Sequence, residues 1–341
     1  MIGDELADQL ARALSDASDV ATLRAAESGA FPQAAWDALD ALGLGAALVP
    51  DARGGAGLGF AEIAPLLEAL GRAGAPVPLA EGIGAAALLA AAGIDVPPGV
   101  LTFAAAGVPV PWGRHAAHVV VVDGARVALH AAASLRWREA MNIAREARDT
   151  PTMAAPIAEG TLPNAWGNDA ARALTALLRS AQIAGALQGA LALAVDHANT
   201  RKQFGRPIGR FQAVQQQLAV FAAETSAASV AAAAAARAAD ARGLADAAFE
   251  IGCAKVTAGE AAAKGAAIAH QVLAAMGITE EHALHHLTRR LWSWRDEGGS
   301  ERFWSARIGA LVQGAPCGAT VQSTPGPLWT FLTSRDQEPA A

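Results

Sequence analysis

A mostly α-helical fold is predicted: an N-terminal helical domain, a small β domain and a C-terminal four-helix bundle. Three observations predict it. Apolar residues recur at helical spacing along both flanks of the chain. One central stretch of β-branched runs surrounds an Asp-Gly pair at Asp123-Gly124. The helical and strand signals come in separate runs instead of alternating, which argues against a doubly wound sheet. The domains are read as residues 1–98, 99–163 and 164–315, with an irregular tail rich in Pro, Gly, Ser and Thr over 316–341.

In the first domain, "FPQAAWDALDALGLGAALVP" (31–50) and "FAEIAPLLEALGRAG" (60–74) carry the helical period, separated by glycines and a proline. "HVVVVDGARVALH" (118–130) is a hairpin signal. A long helix then begins near Asn168 or Asp169, either of which suits an N-cap, and runs to the basic stretch at 200. A second helix is expected from Ala213 to about Ala239, a third from Leu244 to Met276, and a fourth in "EEHALHHLTRRLWSWRD" (280–296). "GGSERFWSARIGALVQG" (298–314) closes the regular part. Long helices with apolar stripes joined in this way form a bundle.

Composition narrows the function. The 341 residues are 53% hydrophobic and 17% charged, with a formal net charge of -6, so nothing points to nucleic acid or an acidic membrane surface. Cys253 and Cys317 are the only cysteines and form no CxxC, which fits a reducing, cytoplasmic setting. The start "MIGDELADQLARAL" has acids where a signal peptide would be basic. Uncharged stretches such as Ser180 to Val195 are read as buried core helices short of spanning length, and no membrane insertion is expected.

The chemistry concentrates in "TRKQFGRPIGRFQAVQQQLA" (200–219), where Arg201, Lys202, Arg206 and Arg210 interrupt alanine-rich surroundings. One reading is a charged surface turn. The other is an anion site: a planar guanidinium at Arg201 suits a pyrophosphate, and Gly205 and Gly209 permit close backbone approach. Gln212 stands near a helix start, where free amides favour an anion. Phe204 and Phe211 are placed to flank an aromatic cofactor.

This stretch resembles the flavin-binding helix junction of the acyl-CoA dehydrogenase family. The segment from 31 to 71 is similar to that family's N-terminal helical domain. "QVLAAMGITEEH" (271–282) resembles its segment Gln-x-x-Gly-Gly-x-Gly-x-x-x-Glu. The resemblance covers most of the chain except its middle, and implies an acyl-CoA dehydrogenase-like fold that binds FAD at a subunit interface. It assigns Arg201, Gln203, Phe211 and Gln212 to the cofactor, with Phe204 beside them and Gln271, Val272, Ala274 and Ala275 on the other side. Ala274 and Ala275 depart from the family's Gly-Gly, and their methyl groups crowd the backbone approach.

The family oxidises an acyl-CoA between Cα and Cβ, with a glutamate taking the Cα proton while hydride leaves Cβ for the flavin. Such a base belongs in an apolar, closed site that raises its basicity. The family's spacing, with a one-residue deletion, brings its Glu-Gly-Thr-Ser segment onto Glu297-Gly298-Gly299-Ser300, so Glu297 is the catalytic candidate. Asp296 and Glu301 are rival acids, and the segment also reads simply as a polar loop. Trp292 and Trp294 are candidate dry walls. Some members carry the base on the helix before the basic turn, but no Asp or Glu occurs between Ala170 and Val195.

"GGAGLG" (54–59) lacks the dinucleotide-loop spacing and fits an interhelical loop. Glu281, His282, His285 and His286 read as a solvated helix face, and no metal is assigned. The middle region departs most from the family. Val100 to Pro163 is short for its β domain, and "LTFAAAGVPVPWG" (101–113) lacks the Thr-Glu-Pro and Gly-Ser flavin loop. Short chains of this kind resemble subunits of heteromeric α2β2 acyl-CoA dehydrogenases.

The resemblance therefore implies FAD-dependent dehydrogenation of an acyl-CoA, in fatty acid or steroid side-chain catabolism. Its expected partners are a second acyl-CoA dehydrogenase-like chain, or further copies of this one, and an electron-transfer flavoprotein-type acceptor. A non-catalytic scaffold completing the partner's flavin site is the alternative. A third reading is a cofactor-free helical interaction protein.

Overall fold

The structure, a computed structural model, describes residues 4–314; the expected tail over 316–341 lies outside them. Five helices open the chain: α1 (Asp4–Ala17), α2 (Val20–Glu27), α3 (Gln33–Asp40), α4 (Phe60–Ala73) and α5 (Leu79–Ala91). α5 has one charged residue, Glu81, and is buried on every side, as a helix apolar all round must be. The glycines at 54–59 form a loop leading into α4, consistent with an interhelical role.

The middle of the chain builds two small sheets. β1 (Leu101–Ala105), β3 (His118–Asp123), β4 (Arg126–Ala131) and β7 (Ala158–Thr161) are joined in the order β1-β3-β4-β7, with only β1 and β3 parallel. β2 (Val110–Pro111), β5 (Arg136–Arg138) and β6 (Arg148–Thr152) form a second sheet in the order β2-β6-β5. The expected hairpin is present, with Asp123 opposite Arg126 and Gly124 at φ +58° in the turn. Alternate residues of β3 face opposite ways. Val120 and Val122 join the main core with Phe103 and Leu129, whereas Val119 and Val121 pack with Ala104, Val110 and Leu135. The valine run is thus buried on both faces.

α6 (Ala170–Thr200) begins at Asp169, as expected, but Asp169 makes no side-chain capping bond. Its carboxylate turns to Arg172 and Arg307 instead. α6 crosses α4 with the backbones close together. A Cβ on Gly185 would lie 1.9 Å from the Glu68 carbonyl oxygen, and one on Gly71 would lie 2.0 Å from that of Gln182. Only glycine fits either position. A short ribbon, β8 (Lys202–Gln203) and β9 (Arg206–Pro207), leads to α7 (Gln212–Asp246). Asp240 of α7 accepts the Phe60 and Ala61 amides at 2.6 and 2.8 Å. The bundle thereby caps the N-terminus of α4.

α8 (Ala248–Leu273), α9 (Leu284–Trp294) and α10 (Glu301–Gly314) complete the described chain. The expected four long helices are corrected here: α6, α7 and α8 are long, while α9 has 11 residues. The reason is local. His282 Nδ1 accepts the Leu284 amide at 3.1 Å, and this side-chain bond fixes where α9 starts. α7 is broken at Gly243, which is non-helical at φ +80° beside Ala165, close to the expected end near Ala239 and just before the expected next start at Leu244.

Three helical segments, Ala170–Thr200, Gln212–Asp246 and Ala248–Ile278, are long and apolar enough to cross a membrane by length and composition. This corrects the expectation that such stretches fall short. In this fold α6 packs against α4, α7 and α8, and α4 also meets α7.

Candidate functional site

Where the sheets meet the bundle there is a cleft of about 570 Å³. Its apolar wall comes from the β1–β2 segment, with Phe103, Val108 and Pro111, and from Met141 and Ile143 before β6. Its other wall comes from the first turn of α6 and the loop after α9, where Asp296, Glu297, Gly298 and Gly299 lie together.

The two glycines position that loop. Gly298 has φ +72°, and a Cβ there would strike the Ala176 amide nitrogen of α6 at 2.6 Å. Gly299 has φ +106° against Phe303 and Trp304. Trp304 Nε1–H donates to the Gly298 carbonyl at 2.9 Å. Lys255, buried in α8, donates from Nζ to the Arg295 carbonyl and anchors the other end. Burial pushes this lysine down to about 8, against the nearby carboxylates.

Glu297 reaches the cleft but is not held in an apolar pocket. Arg148 Nε donates to its Oε1 at 2.8 Å, and Arg179 Nε to its Oε2 at 2.8 Å. Asn142 Nδ2 donates to the same Oε1 at 3.3 Å. Arg179 is also paired with Glu81 at 2.5 Å, and Arg148 with Glu146 at 2.9 Å. Glu146 faces Arg290 at 3.3 Å, and Arg290 approaches Glu27 at 3.9 Å. Glu27 is also bound by Arg289 and His286, each at 2.6 Å.

A buried lattice of alternating charges therefore runs from α2 to α5 through the cleft. Burial pushes the Glu297 carboxyl up, but Arg148 and Arg179 outweigh it and bring it down to about 2. The expectation of a raised basicity is corrected: two guanidinium groups stabilise the anion.

The expected walls divide. Trp292 lines the cleft and stacks on His270, with ring centroids 5.8 Å apart. Trp294 is buried, and its indole N–H donates to Glu146 at 3.2 Å. Of the rival acids, Glu301 is held by Arg295 at 3.0 Å. Asp296 is exposed on the cleft wall. Glu27, His285 and His286 offer ligand atoms within 4.8 Å of one another. Arg289 and Arg290 share the Glu27 carboxylate, however, which disfavours a cation there.

The second candidate region is the basic turn. Phe204 and Gly205 sit at its tip with φ +53° and +77°, both in the left-handed region that a two-residue hairpin turn requires. Phe204 is 90% exposed and meets Phe211 edge-on, with centroids 6.1 Å apart. The Arg206 guanidinium lies 4.3 Å from the centre of the Phe211 ring. Arg201, Gln203 and Gln212 are exposed. Among the described residues, no ion pair or side-chain hydrogen bond engages Arg201.

Gln271, Ala274 and Ala275 are exposed as well, whereas Val272 is buried in the bundle core. The side chain of Val272 is therefore unavailable to a cofactor, which corrects that assignment. Ala274 adopts φ +53°, ψ −135°, a conformation suited to glycine. The 274–282 segment and the basic turn share one end of the bundle. Burial depresses His282, and the charge of His197, near the end of α6, depresses it further.

Residues 4–95 match the profile "Acyl-CoA dehydrogenase, N-terminal domain", and residues 171–309 match "Acyl-CoA dehydrogenase, C-terminal domain". The acyl-CoA dehydrogenase IpdE2 of Mycobacterium tuberculosis is 31% identical over 266 residues, spanning 76% of this chain and 80% of that one. The chain belongs to the acyl-CoA dehydrogenase family.

Two solved structures share the fold of this family member. The steroid acyl-CoA dehydrogenase variant Tcur3481-Tcur3483 superposes with a TM-score of 0.79 at 26% identity, covering 92% of this chain and 99% of that one. The ChsE4-ChsE5 complex of Mycobacterium tuberculosis also gives 0.79, at 22% identity over 93% and 99%.

Within this dehydrogenase fold, sequence reasoning missed Arg148, Arg179, Glu81 and Glu146. A signal existed for two of them. Glu81 is the only charge in α5, and Arg179 stands alone in the apolar middle of α6. Two isolated opposite charges on buried helices invite pairing.

Proposed function

We propose that this chain is one subunit of a hetero-oligomeric, FAD-dependent acyl-CoA dehydrogenase. In this reading the turn at 200–212 holds the adenosine diphosphate end of a flavin shared with an unlike chain, and the cleft takes the acyl thioester. The carrying observation is the turn itself: an exposed arginine without an ion pair among the described residues, beside an aromatic pair and the start of α7. The Val214 and Gln215 amides donate to the Phe211 carbonyl, which leaves the Gln212 and Ala213 amides as the donors at the start of that helix. An anion with an attached planar ring fits this set.

The ring end fits less well. The β1–β2 segment presents Ala104, Ala105, Val108, Pro109 and Pro111 to the cleft, an apolar surface without side-chain donors. This favours a partner chain that supplies the ring's polar contacts. FAD, when bound, supplies the hydride acceptor. The chain's own contribution is to hold the thioester against the loop after α9, keep water from the apolar wall, and offer a carboxylate to the Cα proton.

The second reading is a non-catalytic subunit that completes its partner's flavin site. The double clamp on Glu297 favours it, because a carboxylate so stabilised is a poor base. Flavin content tests the assembly. The purified chain alone is expected to be colourless or poorly flavinated, and to become yellow and active with an unlike dehydrogenase chain. A fully active yellow homo-oligomer would overturn the requirement for an unlike partner.

A further inference from the structure

We infer that Glu297 is the fixed anion of the buried charge lattice and that Asp296, one residue earlier, is the carboxylate in this cleft that takes up the Cα proton. This rests on the reading that the cleft holds an acyl thioester.

A proton acceptor must become neutral, and the lattice opposes that at Glu297. Glu27, Glu81, Glu146 and Glu297 are balanced there by Arg148, Arg179, Arg289 and Arg290. Protonating Glu297 would leave a buried guanidinium uncompensated, the costly half of a broken pair. Nor can the arginines turn away. Arg179 also bonds Glu81 and Gln182, and Arg148 bonds Glu146 and the Ala147 carbonyl. The loop is equally fixed, since the Gly298 backbone lies against α6.

Asp296 is held less closely, with Arg295 and Lys255 the nearby cations that its charge acts on. It lies on the cleft wall next to the same glycines and is exposed. Among the described residues, no ion pair and no side-chain hydrogen bond occupies its carboxylate. Its amide is tied to the Ser293 carbonyl, so its backbone is placed while its side chain is free. A thioester filling the cleft would bring apolar surface over this carboxylate and close it off from water.

The test separates proton removal from hydride transfer. 3,3-Dimethylbutyryl-CoA has Cα hydrogens but none on Cβ, so its only reaction here is exchange at Cα. The carboxylate takes the Cα proton, the electron pair remains on the thioester enolate, and a deuteron from D2O is returned. No oxidant is consumed. Exchange is followed by NMR with the full chain, alone and assembled with its partner.

Asp296→Asn is expected to slow exchange by roughly 100-fold or more without lowering the melting temperature. Glu297→Gln is expected to lower the melting temperature, with any loss of exchange following the loss of folded protein and recovering on cooling. Exchange that survives Asp296→Asn overturns the assignment, as does a folded Glu297→Gln protein that has lost it. If Glu297→Gln fails to fold, Asp296→Asn decides alone. Wild-type protein that binds the thioester but shows no exchange also overturns the assignment. Wild-type protein that does not bind it overturns the reading of the cleft itself.

Discussion

Arg179 reaches Glu297 from the middle of α6: its Nε donates to Oε2 at 2.8 Å, while the same guanidinium meets Glu81 at 2.5 Å. One side chain of α6 thus ties α5 to the loop that borders the cleft. The Glu297 side chain is only 18% exposed, so solvent screens the contact little.

The pH dependence of stability follows from this contact. Glu297 has an ordinary value of 4.5 and is held at about 2 in the folded chain. Its folded value lies below its unfolded one, so the stabilisation is complete above about 4.5 and is lost as pH falls toward about 2. Glu297→Gln should be less stable at neutral pH by about 3 kcal/mol, the scale of a broken buried pair. The gap to wild type should then narrow on acidification. Melting curves of the two proteins that stay parallel through this window would disprove the coupling.

The basic turn predicts unequal arginines. Arg201→Lys loses the planar fork and should weaken FAD retention in the assembled protein by roughly 1.5–3 kcal/mol. Arg206 stacks on Phe211, so Arg206→Lys loosens a ring that borders the site and should cost only about 0.5–1 kcal/mol. Flavin release followed by fluorescence ranks the two; a larger effect at 206 would show that the turn has been misread.

Gly185→Ala should be among the most damaging single changes. The added Cβ would overlap the Glu68 carbonyl oxygen, a backbone atom of α4 that cannot step aside. The two helices must separate, at a cost of roughly 3 kcal/mol or more. A melting temperature within about 2 °C of wild type would rule out the close crossing.

Ala274→Gly should do the reverse. Alanine at φ +53°, ψ −135° occupies a glycine conformation, and relief of that strain is worth about 1 kcal/mol. Thermal melting should rise by a few degrees, and an unchanged or lower midpoint would count against the strain.

The amino-acid sequence alone determined the order of parts. Helical periodicity marked both flanks, the Asp123-Gly124 hairpin marked the sheet, and the stretch from Arg201 to Gln212 carried the resemblance to the family's flavin junction. These signals are local, because each depends on residues a few positions apart. The start of α9 was misplaced because a single side-chain bond from His282 sets it.

What only the tertiary structure decided is the environment of the acid. Glu297 and Asp296 are neighbours in sequence and alike in chemistry. One is enclosed by Arg148 from β6 and Arg179 from α6, residues 149 and 118 positions away, while the other faces the cleft without an ion pair among the described residues. Basicity follows from burial and from the charges that the fold brings close. Neither is written in the spacing of a loop, so the sequence could nominate the segment but not choose between its two carboxylates.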